Sequence, residues 1–178
     1  MPGTTVVMEA AIDERDGDGP VRLGALYREH GRAVLRAAYR VTGNLAEAED
    51  VLQTVFLRLA TRGTDGVGRA YLLRAAVNGG LDCLRTRRWG DADPAESVAR
   101  APGPDRLAES GALREALRDA LARLAPRTAE MFLLRHVEGL PNREIAALLG
   151  TTPGTVAVTV NRARAQLREL LGDWRGER

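Results

Sequence analysis

The sequence predicts an all-α fold: two small helical domains joined by a flexible linker, the C-terminal one carrying a helix-turn-helix. Three observations predict it. Apolar residues recur at helical spacing through most of residues 23–171. Aromatic residues make up only 4% of the chain, so its cores must be built from Leu, Ala and Val, which suits helices better than sheets. One internal stretch, residues 90–110, loses all periodicity and turns to Pro, Gly, Ala and acids.

Taken in order, residues 1–22 read as an acidic, aperiodic and disordered tail. Its first 20 residues hold Glu9, Asp13, Glu14, Asp16 and Asp18 against Arg15, a net of −4. Residues 23–89 form the first helical domain. Leu26, Val34, Leu35, Ala38 and Val41 fall at helical spacing until Gly43-Asn44 closes the segment. Val51, Leu52, Val55, Phe56 and Leu59 put a second apolar face on residues 46–59. After the break "RGTDGVG", residues 69–88 run as a third helix with Leu72, Leu73, Ala76, Leu81 and Leu84 inward. That helix is basic: Arg69, Arg74, Arg85, Arg87 and Arg88 stand against Asp82, a net of +4. Residues 90–110 are the linker, whose ends as a flexible coil would lie about 25 Å apart.

Residues 111–173 form the second domain, followed by a short tail at 174–178. Leu113, Leu117, Leu121 and Leu124 make one apolar stripe, ended by Pro126; Met131, Phe132, Leu134 and Val137 make the next, ended by Gly139. Ile145, Leu148 and Leu149 precede Gly150, which suits a left-handed helix terminus. Thr152 is then placed as an N-cap with Pro153 at the first helical position. In the last helix Val156, Val160, Ala163, Leu167 and Leu170 point inward, leaving Thr155, Thr159 and Arg162 opposite, with Ala157 and Val158 on the flanks. Helix, three-residue turn and helix is the arrangement that lays a second helix in the major groove of DNA, and it is also that of an ordinary helical hairpin. Arg143, Arg162, Arg164 and Arg168 favour the first reading.

Composition narrows the function classes. All 26 basic residues are arginine, whose planar fork suits phosphates, and the net charge is only +2. No apolar run reaches the roughly 20 residues of a membrane span, and no basic-then-apolar leader opens the chain. With only a short stretch after the last helix, no further C-terminal domain is expected. The single cysteine, Cys83, excludes an internal disulfide and fits a reducing, cytoplasmic setting. His30 and His136, the only histidines, lie in separate domains and not at metal-ligand spacing with Cys83. No phosphate loop, nucleophile elbow or carboxylate pair stands out, so no enzyme, no metal and no cofactor is expected.

The segments "LYREHGRAVLRAAYRVTGNLAEAEDVLQTVFLRL" and "YLLRAAVNGGLDCLRTRRW" resemble the N-terminal domain of extracytoplasmic-function sigma factors of bacterial RNA polymerase. "PRTAEMFLLRHVEGLPNREIAALLGTTPGTVAVTVNRARAQLREL" resembles their C-terminal promoter-recognition domain. The two halves stand in the family's order with a linker between.

The resemblance implies a protein that binds polymerase core enzyme, directs it to promoters and assists DNA opening. Its partners would be the clamp helices of the largest subunit, the flap of the second-largest subunit, promoter DNA and, in many members, an anti-sigma factor; no membrane is involved. The resemblance places Glu49, Asp50, Gln53 and Thr54 at the core-docking positions, although many members carry Glu where Thr54 stands. It assigns the minus-ten element to Tyr71, which stands where Trp is common, Asn78, Arg85, Arg87 and Arg88. Asn78 would meet a base flipped from the opened strand, and the arginines its phosphates. The loop "RGTDGVG" lies where the family places its base-capturing segment. Thr152, Pro153, Gly154, Thr155, Val158, Thr159 and Arg162 fall to the minus-thirty-five element. Here the family pattern "GTVKSRLxRAR" becomes "GTVAVTVNRAR": Ala157 and Thr159 replace Lys and Arg, and Val158 replaces Ser. Two phosphate or base contacts are thereby removed. Two rival readings remain open: a helix-turn-helix regulator that never docks on polymerase, and a sigma-like protein that docks but no longer reads promoters.

Overall fold

The computed structural model describes residues 19–89 and 106–176, and the side chains of residues 20–89 and 111–172. Among the described residues there are seven helices and no strand: α1 (Gly19–Thr42), α2 (Leu45–Arg62), α3 (Arg69–Trp89), α4 (Arg106–Arg123), α5 (Pro126–His136), α6 (Asn142–Leu149) and α7 (Pro153–Gly176). Helices α1–α3 pack on one another as a first bundle, and α4, α5 and α6 pack on α7 as a second.

Local chemistry sets most helix ends. Gly43 takes the left-handed conformation (φ 69°) that stops α1. Asn44 then caps α2, its side-chain oxygen accepting from the backbone N–H of Ala46 and Glu47. Between α2 and α3 the turn is built on buried Thr64 and on Gly66 at φ 67°, with an exposed Arg22–Asp65 ion pair at 3.0 Å on its surface. α6 ends at Gly150 in the left-handed region (φ 60°), and the Thr151 N–H closes back on the Ala146 carbonyl at 2.9 Å.

Several sequence expectations shift. Residues 19–22, assigned to the tail, are the first turn of α1; residues 106–110, assigned to the linker, begin α4; and α7 continues to Gly176, past the expected boundary at 173. The expected disorder of residues 1–18 and most of the linker, 90–105, lie outside the described residues. The stripe on α4 is only half inward: Leu121 and Leu124 are buried, whereas Leu113 and Leu117 are exposed. α4 buries Ala120 and Ala122 instead, because it packs against both α3 and α7 and needs small residues on two sides.

The two bundles are not independent beads. α3 packs against α4, α5 and α6, and the buried apolar side chains of both bundles form one continuous cluster, from Val34 to Leu167. Within the first bundle α3 comes unusually close to its neighbours through Gly79 and Gly80. A Cβ at Gly79 would stand 2.7 Å from Val51 Cγ1, and one at Gly80 would stand 2.9 Å from Val41 Cβ.

Candidate nucleic-acid interface

The helix-turn-helix forms as its sequence dictates. Thr152 caps α7: its Oγ1 accepts from the Thr155 N–H at 3.1 Å and lies 2.9 Å from the Thr155 hydroxyl. Pro153 follows at the first helical position. Ile145, Ala146 and Leu149 of α6 and Val156, Val160, Ala163 and Leu167 of α7 are buried and lock the two helices together. Arg127 donates to the Leu149 carbonyl at 2.7 Å, closing the C-terminal end of α6.

The outward face of α7 differs from expectation in its phase. Val158 is its centre, 51% exposed and directly opposite the buried stripe, while Thr159 turns to one flank and is half-buried, as is Ala157 on the other. Gly154, Thr155, Asn161, Arg162 and Ala165 surround Val158 on the exposed side. Asn161 was not singled out from the sequence; its position one turn after Val158 is the signal that would have found it. Its amide can donate and accept at a base edge. The face therefore presents a branched apolar centre, suited to a thymine methyl, with polar and basic groups around it.

On α2, Glu49, Asp50, Gln53 and Thr54 are all exposed, above a buried row of Val51, Val55, Phe56 and Leu59; Leu52 is half-buried. Leu57, 66% exposed, continues the stripe of Asp50 and Gln53 one turn further on. This exposed apolar side chain at the end of a polar face was not singled out from the sequence, because it lies outside the polar cluster of the helix.

The α3 residues are arranged differently. Tyr71 is exposed, but the other four are engaged within the molecule. Asn78 Nδ2 donates to Glu130 Oε1 of α5 at 2.8 Å. Arg85 pairs with Asp82 at 3.6 Å. Arg87 donates to Glu47 at 2.5 Å and to the Thr42 carbonyl at 3.3 Å, tying α3 to the α1–α2 junction. Arg88 pairs with Asp119 of α4 and lies over the Trp89 ring, 5.0 Å from its centroid. Cys83, half-buried on the same helix, has its thiol pushed up by burial first and then by Glu47, which keeps it protonated and unreactive at neutral pH.

A fourth feature is an apolar groove of about 220 Å³ in the second bundle, lined by Leu117, Phe132, His136, Arg164, Leu167 and Leu171, among others. His136 Nε2 sits 3.1 Å from Arg164 Nη2. With the imidazole neutral, Nε2 accepts from the guanidinium and the ring proton resides on Nδ1. Burial, then Arg164 and Arg135, lowers the His136 pKa. Among the described residues no cluster of His, Cys, Asp and Glu could hold a metal ion, and no helix is long and apolar enough to cross a membrane.

Fold and faces together define a helix-turn-helix protein of two helical bundles, with an exposed, largely polar face on α2 and an exposed face on α7. The family model for sigma-70 region 2 matches residues 26–90, and that for sigma-70 region 4 matches residues 114–167. The chain is 36% identical over 143 residues to the RNA polymerase sigma-E factor of Streptomyces coelicolor, covering 78% of this chain and 80% of that one. It is 34% identical over 158 residues to the ECF RNA polymerase sigma factor SigE of Mycolicibacterium smegmatis, covering 82% and 60%. The fold resembles that of the sigma factor RpoE from Bartonella quintana, solved in complex with the anti-sigma factor NepR, at a TM-score of 0.53 and 24% identity, covering 85% of this chain and 97% of that one. The chain belongs to the sigma-70 family, in its extracytoplasmic-function class of RNA polymerase sigma factors.

Proposed function

We propose that the protein works in the cytoplasm, without catalysis of its own, as the subunit that brings RNA polymerase core enzyme to a particular set of promoters. The observation that carries this reading is the coincidence of the two family matches with the two bundles, region 2 on α1–α3 and region 4 on α4–α7.

In this mechanism the exposed face of α2 docks on the clamp helices of the largest subunit. Asp50 and Gln53 make the polar contacts, Glu49 and Thr54 flank them, and Leu57 supplies apolar burial beside them. The groove at Leu117, Phe132 and Leu167 takes an apolar element of the second-largest subunit's flap. α7 enters the major groove at the minus-thirty-five element. Thr152, Pro153, Gly154 and Thr155 place the helix N-terminus at a phosphate, Val158 and Thr159 face bases with apolar surface, and Asn161 and Arg162 supply polar contacts. Ala157 and Thr159 contribute no charge, so the salt dependence of DNA binding is shallower by about one phosphate for each lost contact. At the minus-ten element Asn78 reads an extruded base, Tyr71 offers a stacking surface, and Arg85, Arg87 and Arg88 hold the strand's phosphates. An anti-sigma partner is part of the reading, since the Bartonella quintana neighbour was solved with one.

A docking protein without promoter reading is the second possibility, favoured by the uncharged centre of the α7 face. The test is transcription by purified core polymerase on fragments of the host genome, with and without the protein. New discrete start sites, lost in Asp50→Ala/Gln53→Ala and reduced in Asn78→Ala, are the expected result. Core binding without start sites favours the docking protein; absence of core binding refutes both.

A further inference from the structure

We propose that the protein holds itself in a masked state, with Glu130 of α5 occupying the place on α3 where single-stranded promoter DNA binds. The inference rests on the proposed role of the α3 face and adds a regulatory step to it.

Glu130 stands in the apolar run "AEMFLL" and is 6% exposed, and Glu138 further along the chain also has a buried side chain. A buried carboxylate is costly unless it is paired and hydrogen-bonded. The partners seen for Glu130 both come from the other bundle: Arg74 Nε donates to Oε1 at 2.6 Å and Asn78 Nδ2 donates to the same oxygen at 2.8 Å. Arg74 also donates to the Leu148 carbonyl at 3.1 Å, in the last turn of α6, where the helix dipole is negative. Among the described residues the ion pairs between the bundles run in one sense. Arg40, Arg74 and Arg88 come from the first bundle and Glu138, Glu130 and Asp119 from the second. Carboxylates and carbonyls thus meet the donors that a DNA strand would offer phosphates and base edges to. A strand reaching Asn78 must first displace Glu130, and one reaching Arg88 must displace Asp119.

The same chemistry lets the lock open. Separation returns both members of each pair to water instead of stranding one of them, and a buried pair is close to break-even against that alternative. Opening also exposes the apolar surface that α3 shares with the second bundle, and a competing polyanion, or polymerase holding the two bundles apart, must offset that cost to shift the balance.

The test uses the full chain and two readouts: small-angle X-ray scattering, and anisotropy of a short fluorescein-labelled single-stranded DNA of mixed sequence. Glu130→Arg sets like charges against Arg74. Glu169→Arg, at an exposed position of α7, makes the same charge change without touching α3. If the masked form holds about nine molecules in ten, Glu130→Arg expands the particle and tightens DNA binding about tenfold beyond the Glu169→Arg control. Arg74→Glu added to Glu130→Arg restores the pair in reverse and returns the scattering to the compact form. Scattering unchanged by Glu130→Arg overturns the proposal, as does expansion with DNA affinity no better than the control. Circular dichroism checks folding, and Glu130→Gln is read in the same assays if Glu130→Arg does not fold. Core-polymerase binding by the wild type is measured separately: its failure sinks the sigma mechanism, whereas intact binding with a failed mask sinks the mask alone.

Discussion

Gly79 to alanine is an informative small change in this chain, because two opposing effects of known size meet there. Gly79 is inside α3, one residue from Asn78, and its backbone lies against Val51 of α2. Alanine improves intrinsic helix propensity by about 1 kcal/mol. Its Cβ, however, would stand 2.7 Å from Val51 Cγ1 and 3.2 Å from Cγ2. Val51 is β-branched and buried, so it cannot turn aside, and such overpacking costs about 1–3 kcal/mol. The net expectation is a loss of about 1 kcal/mol, or about 2–4 °C in Tm for a chain of this length. Val51→Ala alone removes two buried methyl groups and costs about 2 kcal/mol. With both changes the new methyl enters space that the valine vacated. The double variant should then be more stable than the sum of the singles by about 2 kcal/mol, the overpacking that it relieves. Urea denaturation of the four proteins, followed by circular dichroism, measures the cycle. A Gly79→Ala variant at least as stable as the wild type, or an additive double variant, would refute the claim that close helix approach requires glycine here.

Two further predictions concern the second bundle. Thr152→Ala removes the cap acceptor for the Thr155 N–H and costs about 1 kcal/mol, while Thr152→Ser retains it; thermal denaturation of the two variants separates cap from methyl. His136 has its pKa lowered in the folded protein, so the unfolded chain binds its proton first as pH falls. Its contribution to stability is therefore present above the unfolded value of 6.5 and is lost as pH drops below it toward the lowered folded value. Denaturation midpoints measured from pH 8 to pH 5 should fall less steeply in His136→Gln than in the wild type, and identical slopes would contradict the assignment.

The sequence by itself determined what local chemistry can determine. Asn44, Gly150, Thr152 and Pro153 punctuate the chain because caps and turns are satisfied within a few residues. Helical spacing alone placed Leu72, Leu73, Ala76, Leu81 and Leu84 inward on α3, and Val156, Val160, Ala163 and Leu167 inward on α7. The helix-turn-helix and the exposed α2 face were legible for the same reason. Phase was harder to read at the edges of a stripe: Val158 and Thr159 exchanged centre and flank, and Leu113 and Leu117 turned outward, because the neighbours that cover a face are not written on it.

What only the tertiary structure decided is the relation between the bundles. Glu130 reads in sequence as one more helical glutamate, since the residues that give it meaning, Arg74 and Asn78, stand 56 and 52 positions away. Whether α3 faces solvent or the second bundle depends on charge complementarity across a long loop closure, and no local propensity encodes that. Asn78 and the arginines of α3 were found from the sequence as donors; the fold determined that their first acceptors are the protein's own carboxylates and carbonyls.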